Sequence, residues 1–482
     1  MEFVYWNFFD IMDHIVDYLR DRYSPWVWIG QRAHDACGIN RVLPLDMIVS
    51  CDRGKDLALF FPEGQVHSVE GPGGPRRNWS NEDMDASLSG ELGRRVFAGF
   101  SKEGKRAALL CYRSVKALES RRRSKYAPRI FAAPLKLKGR FDNKVLLYKA
   151  LDGLSLPRID GLVAAPGKKT FGDLSSGLGL PFVVQFPFGS SGKYTFIVRD
   201  RKTYTAIRRK YPDKKAVIRK YLRGYSLNVN AVIVTRRGRT ETLCAFPSIQ
   251  LTGIAECSAS ESAYCGNDYT GACSLDRDII RQVDETVKKT GRWMARSGYR
   301  GIFGMDFLVK DGKVYPVEIN PRFQNSTSLF NSLQAAKGHG WYLFVLHIAE
   351  MLRDEDRRAA GYVASFPAEE LMRPLKGCQV ILHNMGARGV IRGDVTPGVY
   401  KRTGEGYVLR ERGAFIGGIQ HERDILVTSG VPAKGTVIYP GAPICKVQSI
   451  SGVLKDDRRT LTDEAARAVR SVYGKLRLTR RS

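Results

Sequence analysis

The stretch that decides the fold runs from Gly304 to Asn320 and reads GMDFLVKDGKVYPVEIN. Apolar and polar residues alternate on both sides of Asp311-Gly312, which predicts a β-hairpin with its turn at that dipeptide. The first strand carries Asp306 and the second carries Glu318 and Asn320. Whether these three side chains can act together depends on the register of the hairpin.

Two registers fit this hairpin. A two-residue loop pairs Asp306 with Val317 and turns Glu318 to the opposite face of the ribbon. A three-residue loop pairs Asp306 with Pro316, so that Asp306, Glu318 and Asn320 share one face, because a slip of one residue exchanges the two faces of a strand.

The apolar pattern favours the second register. The three-residue loop leaves a continuous apolar stripe on the other face, made of Met305, Phe307, Val309, Tyr315, Val317 and Ile319. The two-residue loop leaves both faces mixed. We therefore predict the loop Lys310-Asp311-Gly312, with Gly312 at positive φ in a bulge.

Two carboxylates and an amide oxygen on one face predict a metal site. Residues i and i+2 of a strand lie roughly 6.5–7 Å apart on one face, and clustered carboxylates repel each other unless a cation lies between them. Few oxygen ligands, completed by phosphates, are typical of Mg²⁺. Spacing alone leaves open a solvated polar face.

Composition and charge narrow the function classes. The chain has 482 residues, 43% hydrophobic and 26% charged, which suits a globular protein of several domains. Its net charge of +28 favours an anionic partner, namely a nucleotide, nucleic acid, an acidic protein or a membrane face, although solubility alone could account for it. Basic residues concentrate between 199 and 223.

The termini and cysteines point to a reducing compartment. Asp10, Asp13 and Asp17 precede the first Arg, so the start does not read as a secretory signal. No run approaches the ~18 apolar residues of a membrane span. The nine cysteines contain no C-x-x-C pair, so we expect neither a disulfide framework nor a zinc site. We predict a cytoplasmic protein without a membrane association.

Changes of composition divide the chain into three parts. Residues 1–133 read as an α/β domain, and residues 134–355 carry the strongest strand and helix patterns. Residues 356–482 are rich in Gly, Pro and short β-like runs, which predicts a small β-rich module with a terminal helix and a basic tail. The segment from Gly253 to Cys273 is predicted to be a long loop.

The motif Glu318-Ile319-Asn320-Pro321-Arg322, with Asp306 upstream, resembles the Glu-x-Asn-x-Arg signature of the ATP-grasp superfamily, which includes biotin carboxylase and D-alanine–D-alanine ligase. Phe323-Gln324 is similar to the biotin-carboxylase version. The resemblance covers residues 134–355 and implies an α/β ATP-grasp fold, with a lid subdomain at about 160–225.

The resemblance also assigns roles along the central region. Lys144 would contact ATP phosphate, and the segment Gly189–Thr195 would be the flexible lid, with backbone N–H groups close to the phosphates. The hinge strand would hold adenine through its backbone. The lid candidates are Gly189, Ser190, Ser191, Gly192 and Lys193, and the hinge candidates are Arg219, Lys220, Tyr221 and Leu222.

Two positions depart from the family pattern. Gln185 stands where a phosphate-binding Lys usually ends the strand before the lid, and Ser226 stands where an acid usually meets the ribose. Asn228 could substitute for that acid. These departures keep open a degenerate nucleotide-binding protein without activity, against which the intact metal set argues.

The family reaction activates a carboxylate with ATP as an acylphosphate, which an amine then attacks. Glu318 would bridge two Mg²⁺ ions, with Asp306 on one and Asn320 on the other. Lys144 and Lys193 would neutralise phosphate charge. Arg322 would hold the substrate carboxylate or the developing oxyanion through its planar fork.

The substrates are less constrained by the sequence. The residues after Gln324 are Asn325-Ser326-Thr327 rather than the Val-Glu-His of the biotin site, so we favour an amino acid or peptide as the acid and an amide as the product. The acceptor could lie on an acidic peptide or carrier protein. Substrate-contact candidates are Tyr264, Asn267, Asp268 and Arg300.

Three alternatives stay open at this point: bicarbonate activation, a basic nucleic-acid-binding protein and a nucleotide-binding relic. No zinc finger or RNA-recognition motif supports nucleic acid. A homodimer is compatible with the sequence.

Overall fold

The computed structural model describes residues 8–37, 39–43, 45–98, 100, 105–123, 127–189, 192, 194–338, 340, 342–404, 406–413 and 415–480. None of the helices in these ranges has the length and apolarity that a membrane crossing needs. The lid candidates Ser190, Ser191 and Lys193 lie outside the described residues.

The N-terminal part is a parallel five-stranded sheet of order β3-β2-β1-β4-β5 with helices around it. Its elements are α1 (Phe8–Arg22), β1 (Tyr23–Gly30), β2 (Met47–Ser50), β3 (Val66–Ser68), α2 (Asn81–Ser89), α3 (Glu91–Ala98), β4 (Arg106–Cys111), α4 (Lys116–Glu119) and β5 (Arg129–Phe131). The strand order reverses between β1 and β4, and the carboxyl ends of strands at such a point form a crevice.

A smaller unit follows, built on an antiparallel four-stranded sheet of order β6-β9-β7-β8. Its elements and the two helices that lead into it are α5 (Leu135–Phe141), α6 (Lys144–Ala150), β6 (Gly161–Ala164), α7 (Phe171–Leu178), β7 (Phe182–Gln185), β8 (Thr195–Val198), α8 (Arg201–Lys210) and β9 (Ala216–Lys220). Phe182, Tyr204 and Ile218 form the centre of its own apolar core.

The largest sheet has eleven strands and begins with the central region. The first part contains β10 (Tyr225–Arg236), β11 (Arg239–Cys244), β12 (Ser248–Thr252), β13 (Tyr264–Asp268), α9 (Tyr269–Ala272), α10 (Arg277–Ala295), β14 (Gly301–Lys310), β15 (Lys313–Asn320), α11 (Asn325–Ala336), α12 (Tyr342–Leu352) and α13 (Arg357–Ser365). Helices α10 and α12 pack against its central strands.

The C-terminal part continues the same sheet through β13 and β16. Its elements are β16 (Cys378–His383), β17 (Gly389–Ile391), β18 (Gly398–Thr403), β19 (Gly406–Arg412), β20 (Ile425–Thr428), β21 (Val437–Ile438), β22 (Pro443–Ser449), α14 (Asp463–Leu476) and β23 (Leu478–Arg480). The sheet order is β15-β14-β10-β12-β13-β16-β22-β20-β18-β19, with β11 beside β10, and β21-β17-β23 form a separate small sheet.

The long loop predicted from Gly253 to Cys273 is wrong in its second half. Residues 264–268 form β13, paired on both sides with β12 and β16. Asp268 then caps α9 by accepting a hydrogen bond from the backbone N–H of Gly271. Backbone pairing on two sides therefore overrides the loop-like composition of this segment.

The hairpin register also differs from the prediction. The turn is a two-residue loop, with Lys310 opposite Lys313 and positive φ at both Asp311 and Gly312. A register shift between Asp306 and Phe307 then places Asp306 directly opposite Glu318.

The extra residue is therefore a bulge at Val317 and not a third loop residue. It moves Val314 into the core and leaves Tyr315 and Val317 half-buried, which corrects the predicted stripe at those two positions. Asp306 and Glu318 still share a face, as predicted, because the bulge has the same effect on alternation as a longer loop.

Two matched substitutions test this register. Val314→Thr places a hydroxyl in the core and should cost about 1–3 kcal/mol of unfolding free energy, because Val314 is only 1% exposed. Val317→Thr should cost less than about 0.5 kcal/mol, as for a surface site. Urea unfolding of the two variants measures both values. A larger loss for Val317→Thr would contradict the bulge.

Candidate functional site

The predicted metal face lies on the floor of a cavity of about 270 Å³. Its walls come from the N-terminal sheet, the smaller unit and the large sheet. Among the candidates predicted from the sequence, those that line it are Lys144, Gln185, Gly189, Gly192, Ser226, Asn228, Tyr264, Asp306, Glu318, Asn320 and Arg322. The fold thus brings together residues that are up to 178 positions apart in the sequence (322 − 144).

Of the two carboxylates of the floor, that of Asp306 is held by neutral donors. Asn228 Nδ2 donates to Asp306 Oδ1 at 2.6 Å, and Asn320 Nδ2 donates to Asp306 Oδ2 at 3.3 Å. Burial raises the pKa of both carboxyl groups, against the lowering effects of Asn228 on Asp306 and of Lys144 on Glu318. Both groups would be more stable as anions with an additional cation between them.

Lys144 joins the hairpin to the start of the lid. Its Nζ lies 3.0 Å from Glu318 Oε1 and donates to the carbonyl of Gly189 at 3.0 Å. The side chain is 5% exposed. Asn143 caps α6 and so fixes the first turn, in which Lys144 lies. A cation is therefore held between the carboxylate and the lid backbone.

These residues fit a magnesium ion that also binds phosphate. The donors are oxygens of Asp306, Glu318 and Asn320, which is the chemistry that Mg²⁺ prefers. Within the part of the chain that the structure describes, no group of three or more His, Cys, Asp or Glu side chains could hold a metal by itself. Phosphate oxygens would have to complete the coordination.

A buried polar network supports the floor from below. Gln324 accepts a hydrogen bond from Asn228 at 2.7 Å and donates to the carbonyl of Val229 at 2.8 Å. Asn230 and Ser326 extend the network, and Ser326 donates to Asn228 Oδ1 at 2.6 Å. Asn228 is therefore oriented toward Asp306 rather than free to meet a ribose.

Arg322 is oriented by the same hairpin. Its Nη2 donates to Asn320 Oδ1 at 2.6 Å, and its Nη1 donates to the carbonyl of Phe323 at 2.8 Å and to the Tyr112 hydroxyl at 3.1 Å. Its Nε is buried without a hydrogen-bond partner among the described residues. The guanidinium is placed beside the metal face.

The N-terminal sheet contributes cations that the sequence reading missed. Arg32, Arg113 and Arg322 surround the Tyr112 ring, with guanidinium carbons 5.1, 5.5 and 5.3 Å from its centre. Gln31-Arg32 follow β1 and Tyr112-Arg113 follow β4, at the point where the strand order reverses. Polar residues directly after two buried parallel strands were the signal that could have found them.

These arginines differ in how their charge is balanced. Arg32 forms an ion pair with Asp35 at 2.8 Å. Arg113 has no hydrogen-bond or ion-pair partner among the described residues, and its Nε is buried. Burial, together with the neighbouring Arg322, lowers the pKa of Arg113 to about 9. The cavity therefore contains a cation that makes no direct ion pair with any described side chain, although Asp142 acts on its charge from farther away.

The other predicted residues that the structure describes do not line this cavity. Arg219, at the hinge with Lys220, Tyr221 and Leu222, donates from Nη2 to Gln185 Oε1 at 3.4 Å, so a positive charge lies beside Gln185. Asn267 accepts from the Tyr264 hydroxyl and donates to Ser248 within the sheet. Asp268 accepts from backbone N–H groups, and Arg300 pairs with Glu350 at 3.1 Å.

Other lining residues were also outside the sequence prediction. Beyond the arginine cluster they include Asn78, Trp79, Gln250, Thr252 and Ser262. None belongs to a motif with a recognisable spacing.

Comparisons with known proteins agree with this geometry. Residues 141–326 match the family model of the ATP-grasp domain. The fold is similar to biotin carboxylase from Campylobacter jejuni in complex with β,γ-ATP, with a TM-score of 0.59, 13% identity, and 94% of this chain and 92% of that chain covered.

Two further solved structures are similar. The biotin carboxylase domain of 2-oxoglutarate carboxylase from Hydrogenobacter thermophilus, with MgADP and bicarbonate, has a TM-score of 0.57 at 12% identity over 89% and 86% of the two chains. Phosphoribosylamine–glycine ligase from Thermotoga maritima has 0.52 at 13% over 94% and 97%. The predicted fold class is confirmed.

Gly304 provides a test of the network beneath the floor. A Cβ at this position would lie 1.7 Å from Gln324 Nε2, so Gly304→Ala must displace the buried amide and should destabilise the protein by about 1–3 kcal/mol. Combined with Gln324→Ala, the loss should be smaller than the sum of the two single losses by about 0.5–3 kcal/mol. Urea unfolding measures this cycle.

Gly153→Ala serves as the control, because the space around that position is open. Strict additivity of the Gly304 and Gln324 substitutions would show that the two residues do not compete for the same space.

Proposed function

Because residues 141–326 match the family model of the ATP-grasp domain, we propose that the protein is an ADP-forming ligase of the ATP-grasp kind that joins a carboxylate to an amine. The observation that carries this proposal is the pairing of Asp306 with Glu318 across one hairpin, under a cavity whose walls carry Lys144, Arg113 and Arg322. The reaction brings together two anions, a carboxylate and the phosphates of ATP. Carboxylates that hold metal ions on the floor of the cavity, together with cationic side chains on its walls, would stabilise that negative charge.

The nucleotide would enter between the hairpin and the smaller unit. Lys144 would contact phosphate, with the backbone of Gly189 and Gly192 above it. The backbone of Lys220–Leu222 would hold the base. Arg219 lies beside Gln185 and would supply the charge that Gln185 lacks, so the glutamine does not by itself indicate an inactive relic.

Two magnesium ions would fit beside the phosphates, with Glu318 between them, Asp306 on one and Asn320 on the other. When bound, they would neutralise phosphate charge and polarise the transferred phosphoryl group. The residues around them would keep the two reactants in place. Asn228 would fix Asp306, and Lys144 would fix Glu318.

The acid would be held by the guanidinium groups of Arg322 and Arg113. A carboxylate oxygen attacks the γ-phosphorus, and the bond from phosphorus to the ADP oxygen breaks, which gives an acylphosphate and ADP. The neutral amine then attacks the acyl carbon, the carbon–oxygen bond to phosphate breaks, and the amine proton leaves with hydrogen phosphate. An amide, ADP and phosphate result.

Water must be kept away from the acylphosphate. Gly192 in the lid lies so close to Ser262 that a Cβ on the glycine would be 2.3 Å from the serine carbonyl oxygen. The lid thus meets the segment between β12 and β13 over the cavity. This contact supports a closed state that excludes water.

An amino acid or peptide is the acid that we favour. The neighbour from Hydrogenobacter thermophilus contains bicarbonate. In this chain Gln324, which follows the metal motif, accepts from Asn228 and donates to the carbonyl of Val229. Its amide is therefore already used within the protein and would not be free to bind that anion. The excess of basic residues would attract an acidic peptide or carrier protein as the acceptor.

Replacing the bridging carboxylate tests the metal role. Glu318→Gln should lower ATP-dependent phosphate release about 10²- to 10³-fold, as the loss of one preorganised electrostatic group does, while the circular dichroism spectrum stays close to that of wild type. Chelation of magnesium should have the same effect on wild type. Glu285→Gln, on exposed α10, is the control. Unchanged turnover in Glu318→Gln would remove this residue from the metal site.

Arg113→Met tests the carboxylate site. We expect the KM for the acid to rise about 10- to 100-fold, as the loss of a charged hydrogen bond would cause, while the Kd for MgADP changes less than about twofold. The melting temperature should not fall, because an unpaired buried charge is removed.

Arg32→Met is the contrast to this variant, because it leaves the buried Asp35 without its ion pair and should lower the melting temperature. Equal kinetic constants for Arg113→Met and wild type would exclude a role for Arg113 in substrate binding.

A further inference from the structure

A second cavity adjoins the first and is larger, at about 460 Å³. It lies between the N-terminal sheet, the segment before β13 and the C-terminal strands. The two cavities share the lining residues Arg32, Asn78, Gly192, Ser262, Tyr264 and Asn325. The two cavities therefore adjoin along these six residues.

Most polar groups that line the second cavity are used within the protein. His34 Nε2 lies 3.1 Å from Asp56 Oδ1, which also accepts from the backbone of Val431. Arg76 donates to the carbonyl of Ile444 at 2.8 Å and contacts Glu70 at 3.4 Å. These groups hold the N-terminal and C-terminal parts together and have little left for a ligand.

Lys446 is the exception. It lies on β22, lines the second cavity and is 6% exposed. It has no hydrogen-bond or ion-pair partner among the described residues. Asp35, which pairs with Arg32 at 2.8 Å, and Asp52, which accepts from the backbone of Ala33 at 2.8 Å, favour the charge of Lys446 only from beyond ion-pair distance. Burial lowers the pKa of Lys446 to about 8. A buried ammonium without a partner is costly unless a ligand supplies the opposite charge.

An unused acceptor lies at the junction of the two cavities. Asn325 begins α11, three positions after Arg322, and its Oδ1 is buried without a hydrogen-bond partner among the described residues. An amide oxygen in this position can accept a hydrogen bond from an amine. The route between the cavities thus has an acceptor at the junction and a cation further inside.

We propose that the second cavity binds the amine substrate, with its amine at Asn325 beside the metal face and an acidic group on Lys446. The chemical class that satisfies both ends is an α-amino acid or short peptide with a free carboxylate. This inference rests on the proposed ligase function and adds the identity of its nucleophile. Asn325 and Lys446 would select against amines that lack an acidic group.

The experiment uses the full chain with MgATP and a pool of N-acetyl amino acids, which can act as acids but not as amines. Amino acids and dipeptides are offered as amines, each as the free acid and as the C-terminal amide. Phosphate release and mass spectrometry report the product. For wild type, we expect kcat/KM at least tenfold higher with free acids than with amides.

Lys446→Met should lower kcat/KM for the free acids at least tenfold. The kcat/KM for the amides and the Kd for MgADP should stay within about twofold of the wild-type values, as expected for sites that the substitution does not affect. Its melting temperature should equal or exceed that of wild type. Lys401→Met, an exposed lysine on β18 of the same sheet, is the charge-matched control and should behave as wild type.

Three results would overturn the inference: wild-type rates with free acids in Lys446→Met, equal use of acids and amides by wild type, or MgADP binding without phosphate release from any pair. Failure of the ligase proposal is a different result, namely calorimetry in which wild type does not bind MgADP.

Discussion

The site depends on two carboxylates held directly opposite each other on a bulged hairpin. Asp306 and Glu318 would repel if left alone, and the surrounding residues each reduce that cost. Asn228 and Asn320 donate to Asp306, and Lys144 lies 3.0 Å from Glu318. The network under the hairpin exists to orient these donors. The negative charge itself stays in place for cations that arrive with a ligand.

The sequence predicted the face of the hairpin but not its register, and the reason is physical. Alternation reports only whether an odd or even number of residues separates two positions. An extra residue in the turn and an extra residue in the strand both place Asp306 and Glu318 on the same face of the hairpin. They differ at Val314 and Val317, where the longer loop would bury Val317 and the bulge buries Val314. The shared face of Asp306 and Glu318 follows from local spacing, and the fold class from the resemblance of the motif around them, so both could be predicted.

The rest of the site depends on contacts between distant parts of the chain. Arg113 reaches Arg322 only because the N-terminal sheet places the ends of β1 and β4 over the hairpin. No spacing within the sequence encodes that approach. Asp268 and Arg300 were predicted as substrate contacts, and in the structure their side chains form a helix cap and an ion pair. A polar residue near a motif is as often used by the backbone as by a ligand.

The buried cations beside the two cavities fall into two groups, those that form an ion pair with an acidic side chain and those that do not. Arg32 and Arg76 are buried with acidic partners, so removing either partner would leave an uncompensated charge. Arg113 and Lys446 lack such partners among the described residues, and burial lowers the pKa of both. A chain selected only for stability would gain by replacing them with apolar residues. Both residues lie on the walls of adjoining cavities. Binding of an anion beside either residue would offset the free-energy cost of burying its charge. The proposed reaction between an acid and an amino acid would need two such anion sites.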